Sequence, residues 1–493
     1  MADMTHSLAD LGLTARAGRE AVVTGLAVDS RLVKPGMLFA ALPGATTHGA
    51  EFIQYALRVG AGAVLTDPLG AQVAAGVLSG SQAAVVIVQD PRQALAYAAA
   101  LWFGAQPDCM VAVTGTNGKT SVANFTRQIW VALGHAAINI GTTGVGGAWE
   151  TPSPHTTPEP ITLHRMLADA TSAGVTHAAM EASSHGLDQR RLDGVRLRAA
   201  GFTNFTQDHL DYHHTFDAYF AAKAGLFDRL LPEDGTAVIN MDDPRGSDIA
   251  AIADGRGQRM ILVGHGAGVD LRILGQRFDA TGQDLRFSWG DQSHQVRLPL
   301  MGGFQADNVA LAACLAIGSG SSPREVFAVL PHLQGVRGRM QLAARRSNGA
   351  SVFVDYAHTP DALETALKAL RPHVMGRIVV VFGAGGDRDT SKRPLMGAAA
   401  RDHADVLFVT DDNPRSEDPA SIRAAIMAAC PDANDIGDRA DAILMGVDAL
   451  GPGDALLIAG KGHESGQTIA GNVYPFDDVE QASIAVAALE GGQ

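Results

Sequence analysis

A glycine-rich turn between an apolar strand and a helix constrains this chain more than any other feature. Residues 110–113 are apolar and predict a buried strand, and a helix is predicted from about residue 119 to residue 133. Glycines in the turn allow the backbone to direct N–H groups at phosphate oxygens, and the helix N-terminus adds partial positive charge. Lys119 supplies a cation for the β- and γ-phosphates, and the hydroxyl of Thr120 can ligate Mg²⁺. The segment therefore predicts a phosphate-binding strand–helix unit.

The turn departs from the Walker phosphate-loop pattern at one position. Residues 113–120 read Val-Thr-Gly-Thr-Asn-Gly-Lys-Thr, with Val113 where the Walker pattern has glycine. An ordinary glycine-rich turn is the alternative interpretation, although Gly-Lys-Thr between a strand and a helix favours phosphate binding. The missing glycine counts against a nucleotide-binding switch or a transporter ATPase.

The length and the repeated pattern of apolar runs indicate an α/β protein of about three domains. The chain has 493 residues, and domains typically contain roughly 100–200 residues. Short apolar runs alternate with alanine-rich helical stretches, and a turn-rich stretch at residues 104–108 predicts a linker. We expect domains at residues 1–106, 107–338 and 339–493.

Charge and cysteine content exclude several classes of protein. The net charge is −14, which argues against a nucleic-acid binder because such proteins usually carry a basic face. Cys109, Cys314 and Cys430 are far apart and lack metal-ligand spacing, so we expect free, buried thiols in a reducing compartment. No secretory signal or membrane-spanning run is evident. The expectation is a cytoplasmic monomer without membrane insertion.

Two motifs resemble those of the Mur ligase superfamily, which includes the folylpolyglutamate synthetases. They are Thr-Gly-Thr-Asn-Gly-Lys-Thr at residues 114–120 and Asp-Tyr-Ala-His-Thr-Pro-Asp at residues 355–361. The resemblance implies an N-terminal UDP-binding domain, a central phosphate-loop domain on a parallel sheet, and a C-terminal Rossmann-like domain that binds an amino acid. It also implies ATP as a cosubstrate and Mg²⁺ as a cofactor.

The resemblance implies an ATP site from several segments. Asn308 would contact the adenine base, and domain closure would bring residues of the third domain to the nucleotide. The implied ATP residues are Gly115, Thr116, Asn117, Gly118, Lys119, Thr120, Ser121, Asn308, Arg339, Asp355 and His358.

The resemblance also implies a site for a UDP-linked sugar peptide. The N-terminal part of this site is a weak signal, because Asp-Ser-Arg at residues 29–31 is more often a turn with a surface ion pair. The implied residues are Val28, Ser30, Ala45, Thr46, Thr47, Thr156, Thr157, Ser183, Gln189 and Arg191.

A magnesium site with a modified lysine is implied in the central domain. Glu181 follows an apolar strand, and a buried carboxylate there needs a cation or a hydrogen-bond donor. Lys223 lies in an apolar helical stretch; a lone lysine on a helix is usually solvated, but the resemblance implies a carbamate that can ligate Mg²⁺. The implied metal ligands are Thr120, Glu181, His209 and Lys223, with Lys119, Glu181, His209 and Lys223 as catalytic residues. The histidines near residue 209 lack the cysteines and helical spacing of a zinc site.

Three loops of the last domain are expected to hold the incoming amino acid. Parallel sheets place ligands at the carboxyl ends of their strands, and polar loops follow the predicted strands at residues 378–382, 406–410 and 455–458. The implied amino-acid residues are Arg388, Asp412, Asn413, Pro414, Arg415, Gly460 and Glu464. Arg415 can hold a distal carboxylate with two parallel N–H bonds, which an ammonium group cannot do.

The activity implied by the resemblance is formation of an amide bond at the expense of ATP. The expected reaction adds meso-diaminopimelate to UDP-N-acetylmuramoyl-L-alanyl-D-glutamate through an acyl phosphate, in peptidoglycan precursor synthesis, with small molecules as the only partners. A lysine-adding ligase, a D-alanyl-D-alanine-adding ligase and a folylpolyglutamate-type ligase are the alternatives. The loops at residues 412–415 and 29–31 count against the last two.

Overall fold

The computed structural model describes residues 5–16, 19–44, 46–153, 155–206, 208 and 210–491. The chain divides into two compact units. The first unit contains Met1–Val269 and Leu311–Val326, and the second contains Asp270–Ala310 and Phe327–Gln493. The α/β class is confirmed, whereas the domain boundaries at residues 106 and 338 stay a prediction.

Two parallel sheets organise the first unit. The N-terminal sheet has the order β3-β4-β5-β6, and the central sheet runs β13-β12-β11-β7-β10-β8-β9 with only β9 antiparallel. The strands are β1 His6–Ser7, β2 Val22–Val23, β3 Leu26–Ala27, β4 Leu38–Ala40, β5 Ala63–Thr66, β6 Ala84–Ile87, β7 Cys109–Thr114, β8 Ala137–Gly141, β9 Gly144–Gly147, β10 His177–Glu181, β11 Leu197–Phe202, β12 Thr236–Asn240 and β13 Arg259–Gly264.

The second unit contains an antiparallel meander, a six-stranded sheet and a hairpin. The sheet has the order β17-β18-β22-β19-β20-β21, in which only β17 is antiparallel to its neighbour. The strands are β14 Leu271–Asp279, β15 Gly282–Trp289, β16 Gln292–Leu298, β17 Gln341–Arg345, β18 Ser351–Asp355, β19 Ile378–Phe382, β20 Val406–Val409, β21 Asn434–Asp435, β22 Ala455–Ala459, β23 Gly466–Ile469 and β24 Asn472–Pro475.

Many helices begin where the sequence places a capping side chain before a proline. Proline is favoured in the first turn because its missing N–H would have no intrahelical partner. Five helices follow this rule, with backbone N–H groups donating to the side chains of Asp67, Asp90, Glu159, Thr359 and Asp418. The helices are α1 Ile53–Arg58, α2 Pro68–Val73, α3 Ala75–Ser79, α4 Pro91–Phe103, α5 Lys119–Ala132, α6 Pro160–Ser172, α7 Ser184–Asp188, α8 Leu210–His213, α9 Phe216–Gly225, α10 Gly246–Gly255, α11 Phe304–Gly318, α12 Pro323–Val329, α13 Pro360–Leu370, α14 Lys392–His403, α15 Pro419–Met427, α16 Arg439–Asp448 and α17 Asp478–Glu490.

Strand registry brings polar residues together at one edge of each parallel sheet. In the first unit Glu181 at the end of β10 pairs with Val113 of β7, and Phe202 of β11 pairs with Thr114. In the second unit the loops that follow β22, β19 and β20 leave adjacent parallel strands. Each edge can therefore form a site from residues that are distant in sequence.

Candidate active site

The phosphate loop adopts a conformation that requires glycine at two positions. Gly115 has a φ of +145° and Gly118 has a φ of +86°, in the region that side chains disfavour. A Cβ at position 115 would also collide with Oγ1 of Thr203. The backbone N–H of Asn117 donates to Oδ1 of Asn204 at 2.9 Å. The loop is therefore fixed by its own geometry and by the segment that follows β11.

The side chain of Lys119 folds back over this loop. Its ammonium group donates to the carbonyl oxygens of Gly115 at 2.9 Å and Thr116 at 2.8 Å. A lysine ammonium group beside a glycine-rich loop at a helix N-terminus is the arrangement that binds polyphosphate.

A buried carboxylate lies beside the first turn of α5. Glu181 is 2% exposed. Its Oε2 accepts hydrogen bonds from Oγ1 of Thr120 at 3.0 Å and Oγ1 of Thr142 at 3.2 Å, and its Oε1 accepts from the N–H of Thr142 at 2.8 Å. A Cβ at Gly141 would collide with this carboxylate, so glycine makes room for it. Carboxylate and hydroxyl oxygens are the hard donors that Mg²⁺ prefers, so Glu181 and Thr120 fit that ion.

A second lysine is buried next to the same loop. Lys223 on α9 is 1% exposed, and its Nζ donates to the carbonyl oxygen of Gly115 at 2.6 Å. Nζ lies 4.6 Å from the centre of the Tyr219 ring. Burial holds the pKa of Lys223 well below its ordinary value, the positive charge of Lys119 lowers it further, and Asp208 opposes the shift. We call Lys119, Thr120, Glu181 and Lys223 the phosphate-loop cluster.

The predicted sugar-peptide residues of the central sheet form one hydrogen-bonded group. Oγ1 of Thr157 donates to the carbonyl of Glu181 at 2.8 Å and accepts from Oγ of Ser183 at 3.0 Å. Arg191 donates to the carbonyl of Thr157 at 2.7 Å and to Oε1 of Gln189 at 2.8 Å. This group is bonded to the backbone of Glu181, and so continues the edge that carries the phosphate-loop cluster.

The hydroxyl of Thr156 extends this edge towards β8. It lies 3.0 Å from the hydroxyl of Thr142, which also donates to Glu181. Thr142 thus connects the sugar-peptide residues with the buried carboxylate.

The predicted residues of the N-terminal sheet lie in surface loops. Asp29 accepts from the N–H of Arg31 at 2.9 Å and forms a side-chain ion pair with it at 2.6 Å, in a 3₁₀ turn at Ser30–Leu32. The surface ion pair expected of Asp-Ser-Arg is therefore present, and its role in binding stays a prediction. Thr46 and Thr47 are exposed, as is Val28 at 38%. Ala45 and His209 lie outside the described residues.

Asn413 is the centre of a polar cluster in the second unit. Its amide donates to Oδ1 of Asp412 at 3.0 Å and to Oε2 of Glu464 at 2.9 Å. Its Oδ1 accepts from the ammonium group of Lys461 at 3.1 Å and from the N–H of Thr468 at 2.9 Å. We call Asp412, Asn413, Lys461 and Glu464 the carboxylate cluster.

Arg415 is held in a left-handed backbone conformation next to this cluster. Its φ is +53°, and the hairpin β23–β24 fixes it through bonds from its N–H to the carbonyl of Thr468 at 3.0 Å and from the N–H of Ala470 to its carbonyl at 2.7 Å. Its guanidinium donates to the carbonyl of Gly386 at 2.7 Å. The guanidinium therefore lies between the loops after β19 and β20.

Three of the predicted nucleotide residues, Arg339, Asp355 and His358, lie near the end of β18. Asp355 accepts from the N–H groups of Met340 at 2.6 Å and Ala357 at 2.9 Å, and burial raises its pKa against the attraction of Arg339. His358 is exposed, and a ring nitrogen lies 2.9 Å from the carbonyl of Tyr356.

Asn308 lies on α11 and is buried. Its amide donates to Oε1 of Gln305 at 3.1 Å. It is therefore held in one orientation by its own helix.

Tyr356 shows that the loops of the second sheet converge. Burial raises the pKa of its hydroxyl, the negative charges of Glu464 and Asp412 raise it further, and Arg339 and Arg388 lower it. Arg388, Asp412 and Glu464 lie in the loops after β19, β20 and β22, and Arg339 lies just before β17. Arg388 itself is exposed, whereas Pro414 and Gly460 are buried.

Family models match most of the chain. Residues 22–102 match the model described as Mur ligase family, catalytic domain, residues 113–316 match the Mur ligase middle domain, and residues 338–462 match the Mur ligase, glutamate ligase domain. The chain belongs to the Mur ligase family. Mur ligases are ATP-dependent enzymes that form amide bonds.

Similar proteins cover nearly the whole of this Mur ligase. The UDP-N-acetylmuramoyl-L-alanyl-D-glutamate--2,6-diaminopimelate ligase of Bradyrhizobium diazoefficiens is 51% identical, over 94% of this chain and 95% of its own. The enzyme of the same name from Caulobacter vibrioides is 50% identical, over 99% of each chain. A solved structure of a ligase of that name matches with a TM-score of 0.72 and 34% identity, over 99% of each chain.

Three residues that lie beside predicted site residues, Thr142, Tyr219 and Arg439, were absent from the sequence prediction, and Lys461 lay in a predicted loop without an assigned role. Thr142 and Lys461 stand at strand ends beside glycines, a signal that could have identified both. Tyr219 and Arg439 lie on helices and have no local sequence signal for their roles. The hydroxyl of Tyr219 lies 3.2 Å from Oγ1 of Thr116, and Arg439 forms a fully buried ion pair with Asp478 at 2.7 Å.

Proposed function

We propose that this Mur ligase adds meso-diaminopimelate to UDP-N-acetylmuramoyl-L-alanyl-D-glutamate in peptidoglycan precursor synthesis. The observation that carries the proposal is the carboxylate cluster next to Arg415. Carboxylates of Asp412 and Glu464 and the guanidinium of Arg415 offer both kinds of partner that an amino-acid end group needs. The names of the two relatives at 51% and 50% identity support the same substrates.

The first step is activation of a carboxylate by ATP. The side-chain carboxylate of the D-glutamate residue attacks the γ-phosphorus, and the products are an acyl phosphate and ADP. Phosphoryl transfer needs positioning and charge stabilisation more than it needs covalent chemistry from the protein. Lys119 and the N–H groups of the phosphate loop supply this stabilisation.

Mg²⁺ fits the oxygen donors beside the phosphate loop. Glu181 and Thr120 would hold it, and Lys223 would join them as a carbamate. The depressed pKa of Lys223 favours the neutral amine, which is the form that captures carbon dioxide. When bound, the ion neutralises phosphate charge. His209 stays a predicted ligand.

The second step forms the amide bond. The amine of diaminopimelate attacks the acyl carbon, and orthophosphate leaves. Asp412 and Glu464 would accept from the distal ammonium group, and Arg415 would donate to the distal carboxylate. Lysine lacks that carboxylate, and a site that leaves a buried donor unpaired rejects such an analogue by about 10⁴–10⁵-fold.

The cellular setting completes the proposal. Among the helices of the described residues, none has the length and apolarity needed to cross a membrane. We propose a cytoplasmic enzyme that acts as a monomer on small molecules, with the UDP group bound by Val28, Ser30 and residues 45–47.

Orthophosphate release tests the proposal directly. Release should require ATP, the UDP-dipeptide and meso-diaminopimelate together, and mass spectrometry should show the UDP-tripeptide. L-Lysine, D-alanyl-D-alanine and glutamate with a folate acceptor are the comparison substrates. Faster turnover of any of these, with no diaminopimelate product, would contradict the proposed substrate.

A further inference from the structure

Lys461 is a completely buried cation in the loop after β22. Its side chain is 0% exposed, and its ammonium group lies 3.1 Å from Oδ1 of Asn413 and 3.2 Å from Oε2 of Glu464. Buried lysines are rare unless they are paired, because removing the charge from water is costly. A core position would be filled at lower cost by an apolar side chain, so the charge of Lys461 calls for an explanation.

The groups around Lys461 carry an excess of negative charge. One amide group, that of Asn413, donates to carboxylate oxygens of both Asp412 and Glu464. Oδ2 of Asp412 is buried and accepts no hydrogen bond from any residue that the structure describes. Two carboxylates bridged by one neutral amide repel each other, and Lys461 offsets that repulsion by pairing with Glu464.

The neighbouring buried ion pair adds no net charge to the surroundings of Lys461. Arg439 and Asp478 are both 0% exposed, and they contact each other through two hydrogen bonds of 2.7 and 2.8 Å. Together they are neutral. Among the buried and partly buried side chains, the two carboxylates of Asp412 and Glu464 are balanced by the two cations Lys461 and Arg415. Arg388 also lies near this region, but it is exposed, so solvent screens its charge.

A pocket whose own net charge is close to zero suits a ligand whose distal group also has a net charge of zero. The distal end of diaminopimelate carries an ammonium group and a carboxylate on one carbon, so its net charge is zero. The end of lysine carries an ammonium group alone. A pocket with one more negative charge would favour the lone ammonium group, since specificity is a difference between two affinities.

We propose that Lys461 is a positioning residue that determines specificity. It holds Glu464 and Asn413 in place, and its charge makes the pocket match a zwitterionic end group rather than a lone ammonium group. The inference rests on the proposed function and names a selector besides Arg415. Lys461 acts through Asn413 and Glu464.

The test compares the specificity constants for meso-diaminopimelate and L-lysine in matched variants. Lys461→Met should lower the ratio of the two constants by at least about tenfold, because a buried charge partner is lost. The loss should appear as a higher KM for diaminopimelate, with the KM for ATP and for the UDP-dipeptide unchanged. Lys461→Gln keeps a hydrogen-bond donor without the charge, and serves if the Met variant does not fold. Lys368→Met removes the same charge from the exposed face of α13 and is the matched control.

A conservative variant and a double variant separate this role from a merely structural one. Lys461→Arg keeps the charge and should retain most of the discrimination. Lys461→Met combined with Glu464→Gln removes one charge of each sign. Both substrates present an ammonium group to Glu464. Loss of the Glu464 carboxylate should therefore lower the specificity constants for both substrates by a similar factor. The ratio should therefore recover towards the wild-type value, although overall activity falls.

Two results would overturn the inference without touching the proposed function. They are an unchanged ratio in a folded Lys461→Met or Lys461→Gln enzyme, or a double variant that discriminates worse than Lys461→Met alone. Failure of the wild-type enzyme to use diaminopimelate would instead overturn the proposed function. The wild-type assay is therefore run first, and thermal unfolding of each variant accompanies its kinetics.

Discussion

Two lysines of this protein are equally buried and have opposite surroundings. Lys223 contacts a carbonyl oxygen and an aromatic ring, and the charge that most affects it is the cation Lys119. Lys461 contacts the carboxylate of Glu464 and the amide oxygen of Asn413. The main charged neighbour of Lys223 is therefore another cation, whereas Lys461 contacts a carboxylate directly.

Burial alone therefore does not decide the role of a lysine in this protein. Burial and the cation Lys119 lower the pKa of Lys223, against the opposing effect of Asp208, whereas the ammonium group of Lys461 forms an ion pair with Glu464. Lys223 is therefore suited to covalent modification, whereas Lys461 is suited to balancing charge. We expect the phosphate-loop cluster to control the rate of the chemical step and the carboxylate cluster to control the choice of amino acid.

Removal of the phosphate-loop cation should have the largest effect. Lys119→Ala should lower orthophosphate release by about 10³-fold or more, because charge on the transferring phosphoryl group loses its main protein partner. Binding of the UDP-dipeptide, measured by calorimetry, should change little. Equal loss of binding and turnover in a folded variant would show that the two sites are not separate.

Removal of the buried amine should be nearly as severe and should be partly reversible. Lys223→Ala should lower turnover by about 10²-fold or more, since a predicted ligand of Mg²⁺ is lost. Acetate or formate should restore part of the activity. Lys461→Met is the matched control, and the comparison between the two lysines fails if small carboxylates rescue both variants or neither.

Loss of the guanidinium in the second unit should affect the amino acid alone. Arg415→Ala should lower the specificity constant for meso-diaminopimelate by roughly 30- to several-thousand-fold, since loss of a charge-assisted contact that the bound substrate would bury costs about 2–5 kcal/mol. The KM for ATP and for the UDP-dipeptide should stay near the wild-type values. Wild-type turnover of L-lysine as fast as diaminopimelate, or an unchanged ratio in the variant, would remove Arg415 as a selector.

The smallest expected effect is on stability as the pH changes. The pKa of Lys223 is lower in the folded protein than in the unfolded chain, so the unfolded chain binds more protons between the two values. Stability relative to Lys223→Met should then rise with pH across that window, by at most about 1.4 kcal/mol per pH unit. Urea unfolding of both proteins, without bicarbonate or Mg²⁺, measures this. A difference that falls with pH would contradict the depressed pKa.

The sequence predicted the parallel strands and the motif loops well, because both depend on local patterns. The predicted strand at residues 378–382 is β19, and the predicted helix from about residue 119 is α5. The antiparallel strands β14–β16 were missed, since their burial alternates and they lack continuous apolar runs. The hairpin β23–β24 was also missed, because all four residues of its second strand are exposed and give no apolar run.

Site residues that belong to a sequence motif were predicted. Site residues that are brought together only by tertiary packing were missed. Glu181 and Asp412 follow apolar strands, and that position was a usable signal. The pairing of Arg439 with Asp478 joins residues 39 positions apart on two helices. Such a pair depends on tertiary packing and has no local pattern.

The carbonyl oxygen of Gly115 accepts hydrogen bonds from both Lys119 and Lys223. In evolutionary terms, this shared acceptor links the histories of two positions that are 104 residues apart. A change at either lysine alters the bonding and the field at the other, so the effects of the two changes should not add. The effect of replacing one of these lysines during evolution therefore depends on which residue is present at the other position.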